Sequence, residues 1–173
     1  MAATFIVENG SVVLGANAYI TVAEADQYHE NHDDPSSWSG AITSDKEEAI
    51  RQATQYLDAF YHVRWKGRRI DDDQDLDWPR FNVHDRDNFI IDSDEIPQKL
   101  KDACAVMALR SLGSVDLLPD LDNPGTEKRR RIKVGPVEKD IEYFDGRSQI
   151  KKFRLVDLLL IDFINPKGFV ERG

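Results

Sequence analysis

Ser44-Asp45-Lys46-Glu47-Glu48-Ala49-Ile50-Arg51-Gln52-Ala53-Thr54-Gln55-Tyr56-Leu57-Asp58-Ala59-Phe60-Tyr61 is the stretch that decides the fold class. Ile50, Ala53, Leu57 and Phe60 or Tyr61 recur at spacings of three and four, which gathers them on one face of an α-helix. Ser44, followed three residues on by Glu47, supplies the start chemistry of a capping box. An apolar stripe of this kind needs partners, and the flanking sequence offers them. Thr21 with Glu24 repeats the capping pattern and predicts a helix to about His32, ended by Asp34-Pro35-Ser36-Ser37. Pro97 opens another at its first position, where a missing N–H costs nothing. Leu100, Ala103, Cys104, Met107 and Ala108 form its buried stripe, and Gly113 stops it. Ser148 is placed to cap a last helix, with Val156, Leu159, Leu160 and Phe163 on its apolar side and Asn165-Pro166 at its end.

The remaining segments read as small β additions and loops. Phe5 to Val7 and Ser11 to Leu14 flank Asn9-Gly10, the residue pair that accepts a tight type I′ turn, and predict an N-terminal hairpin. Gly67 to Asn82 is irregular, and Val83 to Asp94 is too polar for core and reads as a surface loop. Asp116 to Thr126 is a loop, after which Arg131–Val134 and Val137–Tyr143 read as strands around Gly135-Pro136. The expected fold is mainly α: a bundle of about four helices with short hairpins and an extended C-terminal tail. One domain is expected over 1–173, comprising an arm at 1–20, a helical core at 21–126, a second arm at 127–146, and a helix and tail at 147–173.

A chain of 173 residues buries about 70% of its unfolded surface and needs no covalent staples. Its single cysteine, Cys104, excludes an internal disulfide and any multi-cysteine metal site. The N-terminus lacks the basic-then-apolar order of a signal peptide, so no leader is expected. The longest apolar run, Leu155 to Ile164, is broken by Asp157 and Asp162. A bilayer span needs about 20 apolar residues, so no membrane partner is expected. The net charge is −9, from 32 acids against 23 bases. Most of such a surface repels a nucleic-acid backbone, although a local basic patch is compatible with it.

His29 and His32 share a helix face beside Asp33 and Asp34, but two histidines without a third ligand read as a solvated helix end. Asp71, Asp73, Asp75 and Asp77 alternate like a calcium loop, yet Leu76 and Asn82 stand where that loop needs glycine and glutamate. Cys104 on an apolar stripe reads as a small core residue. Trp38, Trp65 and Trp78 read as anchors, with Trp78-Pro79-Arg80 plugging the irregular loop into the bundle. No nucleophile elbow, phosphate loop or dinucleotide fingerprint occurs, so neither catalytic residues nor a cofactor or metal are expected. Lys128, Arg129 and Arg130, with Arg68 and Arg69 beside Trp65, are the candidate nucleic-acid contacts.

Several segments together resemble a known family. They are Ala16 to Tyr28, Ala53-Thr54-Gln55-Tyr56-Leu57, Trp65-Lys66-Gly67-Arg68-Arg69, Leu76-Asp77-Trp78-Pro79-Arg80, Ile96-Pro97, Asp116-Leu117-Leu118-Pro119 and Lys133-Val134-Gly135-Pro136-Val137. In this order they are similar to tailed-phage proteins labelled DnaT-like single-stranded-DNA-binding proteins, which in turn resemble head–tail adaptors (connectors). The resemblance implies a ring, commonly of twelve copies, docked on the portal protein and bridging to the next tail-proximal protein. It places the chain at the neck of the virion, or in the host cytoplasm during assembly, with duplex DNA passing through the ring. An acidic lining suits that passage, and a single-strand binder needs a basic groove with stacked aromatics. Phe163, Ile164, Phe169 and Val170 match the part that adaptors press into the portal. Arg131, Ile132, Val134, Val137, Ile141 and Tyr143 are the candidate contacts between neighbouring copies, since an exposed hairpin edge pairs readily. The alternative is a DnaT-like replication accessory protein that binds single-stranded DNA.

Overall fold

The structure, a computed structural model, describes residues 4–33, 35–119, 130–134, 137–141 and 152–165. Five α-helices carry the fold among them: α1 (Val22–Asn31), α2 (Ser36–Ser39), α3 (Thr43–Tyr61), α4 (Gln98–Leu112) and α5 (Arg154–Leu159). A 3-10 turn, His62–Arg64, follows α3. Antiparallel two-stranded pairs form between β1 (Arg68–Arg69) and β2 (Arg80–Phe81), β3 (Val83–His84) and β4 (Ile90–Ile91), and β5 (Arg130–Val134) and β6 (Val137–Ile141). The fold is mainly α with short hairpins. No helix among the described residues is long and apolar enough to cross a membrane. The chain divides into two compact units, one of residues 1–117 and 153–173, the other of residues 118–152.

The first unit is organised on the α3–α4 pair, its most extensive helix contact. Ile50, Ala53, Leu57 and Tyr61 of α3 are buried against Leu100, Ala103, Cys104, Met107 and Ala108 of α4, as their spacing predicts. Cys104 is fully buried, and burial pushes its thiol pKa up to about 12, so it stays protonated. Thr21 and Glu24 complete the capping box of α1. Helix α2 was hidden in the Asp34-Pro35-Ser36-Ser37 stop. It exists to bury Trp38, whose Nε1 donates to Asp26 at 2.8 Å while Lys46 bonds the same oxygen at 2.8 Å.

Helix starts differ from expectation in three places. Helix α3 begins at Thr43 after Ile42, with no side-chain cap, because the Ile42 carbonyl already accepts the Asp45 and Lys46 amides. Pro97 sits one residue earlier than expected, as the N-cap of α4, its carbonyl taking the Leu100 and Lys101 amides. Helix α5 starts after Phe153, also without a side-chain cap, and Ser148 lies outside the described residues. Val83 corrects the reading of 83–94 as wholly surface: it is fully buried, and β3 pairs with β4 in the register Val83↔Ile91.

The N-terminal hairpin does not form. Val7 instead pairs with Ala18 in a parallel bridge, and the Glu8 amide donates to the Ala18 carbonyl at 2.9 Å. The reason is Glu8, only 3% exposed, whose carboxylate accepts the amides of Gly10 (2.8 Å), Val12 (3.1 Å) and Val13 (2.8 Å). The Val13 N–H is one that a hairpin ladder around Asn9-Gly10 would have used, and binding all three amides to one carboxylate curls the segment away from an extended strand. Gly10 retains the positive φ (+104°) expected of it, but it is buried, not a free turn tip. A Cβ there would lie 2.1 Å from the Asp94 carbonyl oxygen.

In the second unit, β5 and β6 pair Arg130↔Ile141, Ile132↔Lys139 and Val134↔Val137. This matches the expected strands around Gly135-Pro136 to within a residue at the start, and Tyr143 lies outside the described residues.

Gly10→Ala is expected to destabilise the protein by about 2–4 kcal/mol in urea unfolding, combining φ strain with a backbone clash. A cost below about 1 kcal/mol, the value for an exposed turn glycine, would restore the hairpin reading.

Candidate nucleic-acid interface

Trp78 is the anchor around which the irregular segment is built. It is fully buried, edge-on to Trp65 (5.7 Å between centroids, 87°) and to Phe163 (5.5 Å, 68°), and its peptide bond to Pro79 is cis. Its backbone is held from α3. The Trp78 amide donates to the Tyr19 hydroxyl at 3.2 Å, Tyr19 donates to Asp58, and the other Asp58 oxygen accepts the Asp77 amide at 3.1 Å. The Asp77 carboxylate, 5% exposed, accepts from Trp65 Nε1 (3.1 Å) and bonds His62 Nδ1 (2.9 Å). Each buried oxygen therefore has a donor, as buried carboxylates require.

Burial pushes the pKa of Asp58 up to about 7, with the Asp77 charge adding to the rise and the Tyr19 hydrogen bond opposing it. Tyr19 is itself raised well above the phenol range by burial and by Asp58. A cleft of about 450 Å³ opens beside this network, lined by Asp58, His62, Arg69, Asp75, Leu76 and Asp77 among others.

The cations gathered by this loop serve it internally. Lys66 Nζ donates to the carbonyls of Asp162 (2.7 Å) and His84 (3.0 Å). Arg80, 8% exposed, donates to the carbonyls of Lys66 (2.8 Å), Gly67 (2.9 Å) and Asp77 (3.1 Å). Arg69, a candidate contact, is committed to the carbonyls of Gln74 (3.1 Å) and Asp72 (3.2 Å). Arg68 alone of the candidate pair faces outward without a hydrogen bond or ion pair among the described residues. Its guanidinium lies over the Phe81 ring at 5.3 Å, across the β1–β2 register Arg68↔Phe81. Phe81 is 49% exposed, and Phe89 further along is 70% exposed.

The aromatic expected beside these bases, Trp65, is 4% exposed and therefore core. Phe81 takes its place. That pairing was not visible in the sequence, where the two partners stand thirteen positions apart and meet only through strand register.

The other candidates fall as follows. Arg130 and Arg131 lie on β5, while Lys128 and Arg129 lie outside the described residues. Ile132, Val134, Val137 and Ile141 share the β5–β6 ladder. Phe163 (3% exposed) and Ile164 (6%) do not stand on a free surface: Phe163 packs on Trp78 and Ile164 bridges Trp65, so in this conformation both belong to the chain's own core. Phe169 and Val170 lie outside the described residues. His29 is buried and His32 stacks on Tyr28 at 4.1 Å. Among the described residues, one group of acids could approach a metal ion, Asp71, Asp72 and Asp73, all exposed.

Because Asp58 binds its proton more tightly folded (about 7) than unfolded, its contribution to stability is full below the unfolded value and is lost as pH rises through about 7. Unfolding free energy should fall by on the order of 1–2 kcal/mol between about pH 5 and 8 on this account. Asp58→Asn should flatten that part of the profile. An unaltered slope in the variant would remove Asp58 as the group responsible.

Comparison with known proteins supplies the family. Residues 3–173 match the family described as "Putative DnaT-like ssDNA binding protein". No curated protein and no solved structure matches the chain. The match spans nearly the whole sequence, so the chain belongs to this DnaT-like family.

Proposed function

We propose that this protein is a non-enzymatic accessory protein that binds single-stranded DNA on a small face centred on Arg68 and Phe81. The family description supports the reading. The observation that carries it is the outward Arg68 guanidinium lying on a half-exposed ring. Single-strand binders combine a backbone-seeking cation with an aromatic face on which a base stacks, and every base has such a face. The acids at Asp71, Asp72 and Asp73 follow closely in the chain and are exposed. They confine the strand to a short footprint, so affinity is modest and the salt slope shallow, at about −0.7 per phosphate contacted.

One observation favours a second reading, the head–tail connector. The charge of −9, with Lys66, Arg69 and Arg80 turned to internal carbonyls, suits a ring through which duplex slides without sticking. Such a ring would bind copies of itself, a portal protein and a tail-side neighbour, and Val63 (88% exposed) and Leu14 (87%) are apolar groups open to them.

Anisotropy titration of a fluorescein-labelled dT12 at two salt concentrations tests the choice. Binding at micromolar level in low salt is expected, weakened about tenfold by Arg68→Glu and by Phe81→Ala. Failure to bind by about 100 µM, together with a ring-sized mass on addition of a portal protein, would replace this reading by the connector.

A further inference from the structure

We propose that a pocket between α1, α4 and α5 receives one nucleobase of the bound strand, with the adjoining phosphate on the Arg110 guanidinium. This rests on the single-strand reading above and gives it a second contact. The pocket has a volume of about 440 Å³ and is lined by Tyr28, His29, Val106, Leu109, Arg110 and Leu155, with Asp33 and His32 also on its wall. That volume lies within the range of small-molecule sites, which are mainly apolar with a few polar groups.

Three features select a base. The first is a flat wall: the Tyr28 and His32 rings stack at 4.1 Å with 24° between their planes. Burial lowers the pKa of His29, with the Ala105 carbonyl and Asp26 opposing, so that ring is neutral at pH 7. Three rings and an apolar floor, with Arg110 and Asp33 on the wall, suit a flat heterocycle that carries a phosphate.

The second feature is charge. Arg110 is exposed and packs over the Phe153 ring at 5.2 Å. Among the described residues its side chain makes no hydrogen bond or ion pair, so its planar fork of donors is open to a phosphate. Unlike Arg69 and Arg80, whose donors are taken by backbone carbonyls, Arg110 keeps its donors free beside an apolar pocket. The third is a polar edge. Asp33 offers acceptor oxygens for an exocyclic amine or ring N–H of the base, the way carboxylates read cytosine.

The experiment uses the full chain, 15N-labelled, with dTMP, dCMP and dT12 as probes. Amide shifts confined to Tyr28, His32, Leu109, Arg110 and Leu155 are expected with either mononucleotide at millimolar level. For dT12, Arg110→Gln should weaken binding about tenfold, and Leu155→Trp, which fills the pocket from its half-exposed wall, should do the same. Gln55→Glu, an equal charge change on exposed α3 surface, should weaken it less than about twofold. If dT12 binds but the pocket amides stay still and Arg110→Gln matches Gln55→Glu, the pocket inference is overturned and the single-strand reading stands. If dT12 does not bind the wild-type chain, both are overturned. If a mononucleotide shifts the pocket but dT12 binds unchanged to both pocket variants, the pocket is a nucleotide site unconnected to the strand, and the inference is overturned.

Discussion

Two carboxylates inside the protein, on Asp58 and Asp77, impose the constraint on which the rest of the candidate interface depends. An ionised carboxylate taken from water must find donors, and leaving one unpaired costs several kcal/mol. The donors come from separated parts of the chain: the Tyr19 hydroxyl, the His62 ring, the Trp65 indole and the Asp77 amide. Satisfying them draws the segment before α1, the end of α3 and the Trp78–Pro79 loop to one place. With Trp78 seated, β1 and β2 meet in the single register that sets Arg68 over Phe81. The interface is thus a consequence of interior chemistry.

That same arrangement explains why most cations of the Lys66–Arg80 segment point inward. A sharply folded loop leaves carbonyls without ladder partners, and buried carbonyls need donors. Lys66, Arg69 and Arg80 supply them, each through two or more bonds to backbone oxygens. Their role is to close the loop. The β1–β2 pair leaves Arg68 outward on the Phe81 ring, and at the α1–α4 pocket Arg110 lies over Phe153. Each pairs a cation with an aromatic, the combination that single-stranded nucleic acid uses.

The helical bundle was legible in the sequence, and the reason is periodicity. Ile50, Ala53 and Leu57 face Leu100, Ala103 and Met107 because a 3.6-residue repeat leaves no other solution. The capping box at Thr21 was equally local and equally readable. Where side chains compete for backbone groups, reading failed. Asn9-Gly10 carries a hairpin signature, but Glu8 captures the amides first. Ser44 and Glu47 promise a cap, while α3 begins without one. Phe163 was legible on the apolar side of the last helix, but its partner Trp78 was not, because the two meet only through tertiary contact. The site was the least legible part, because Arg68 with Phe81 and Tyr28 with Arg110 are juxtaposed only by tertiary contact.

Photocrosslinking of a 5-iodouracil-substituted oligonucleotide, followed by peptide mapping, addresses the central claim most directly, since it reports which residues touch bases without assuming a site. We expect adducts at Phe81 and at Tyr28 or His32, and none on the Asp71–Asp77 stretch. Adducts confined to the Lys128–Arg131 run, or no adduct at saturating oligonucleotide, would contradict an interface built from these aromatic–arginine pairs.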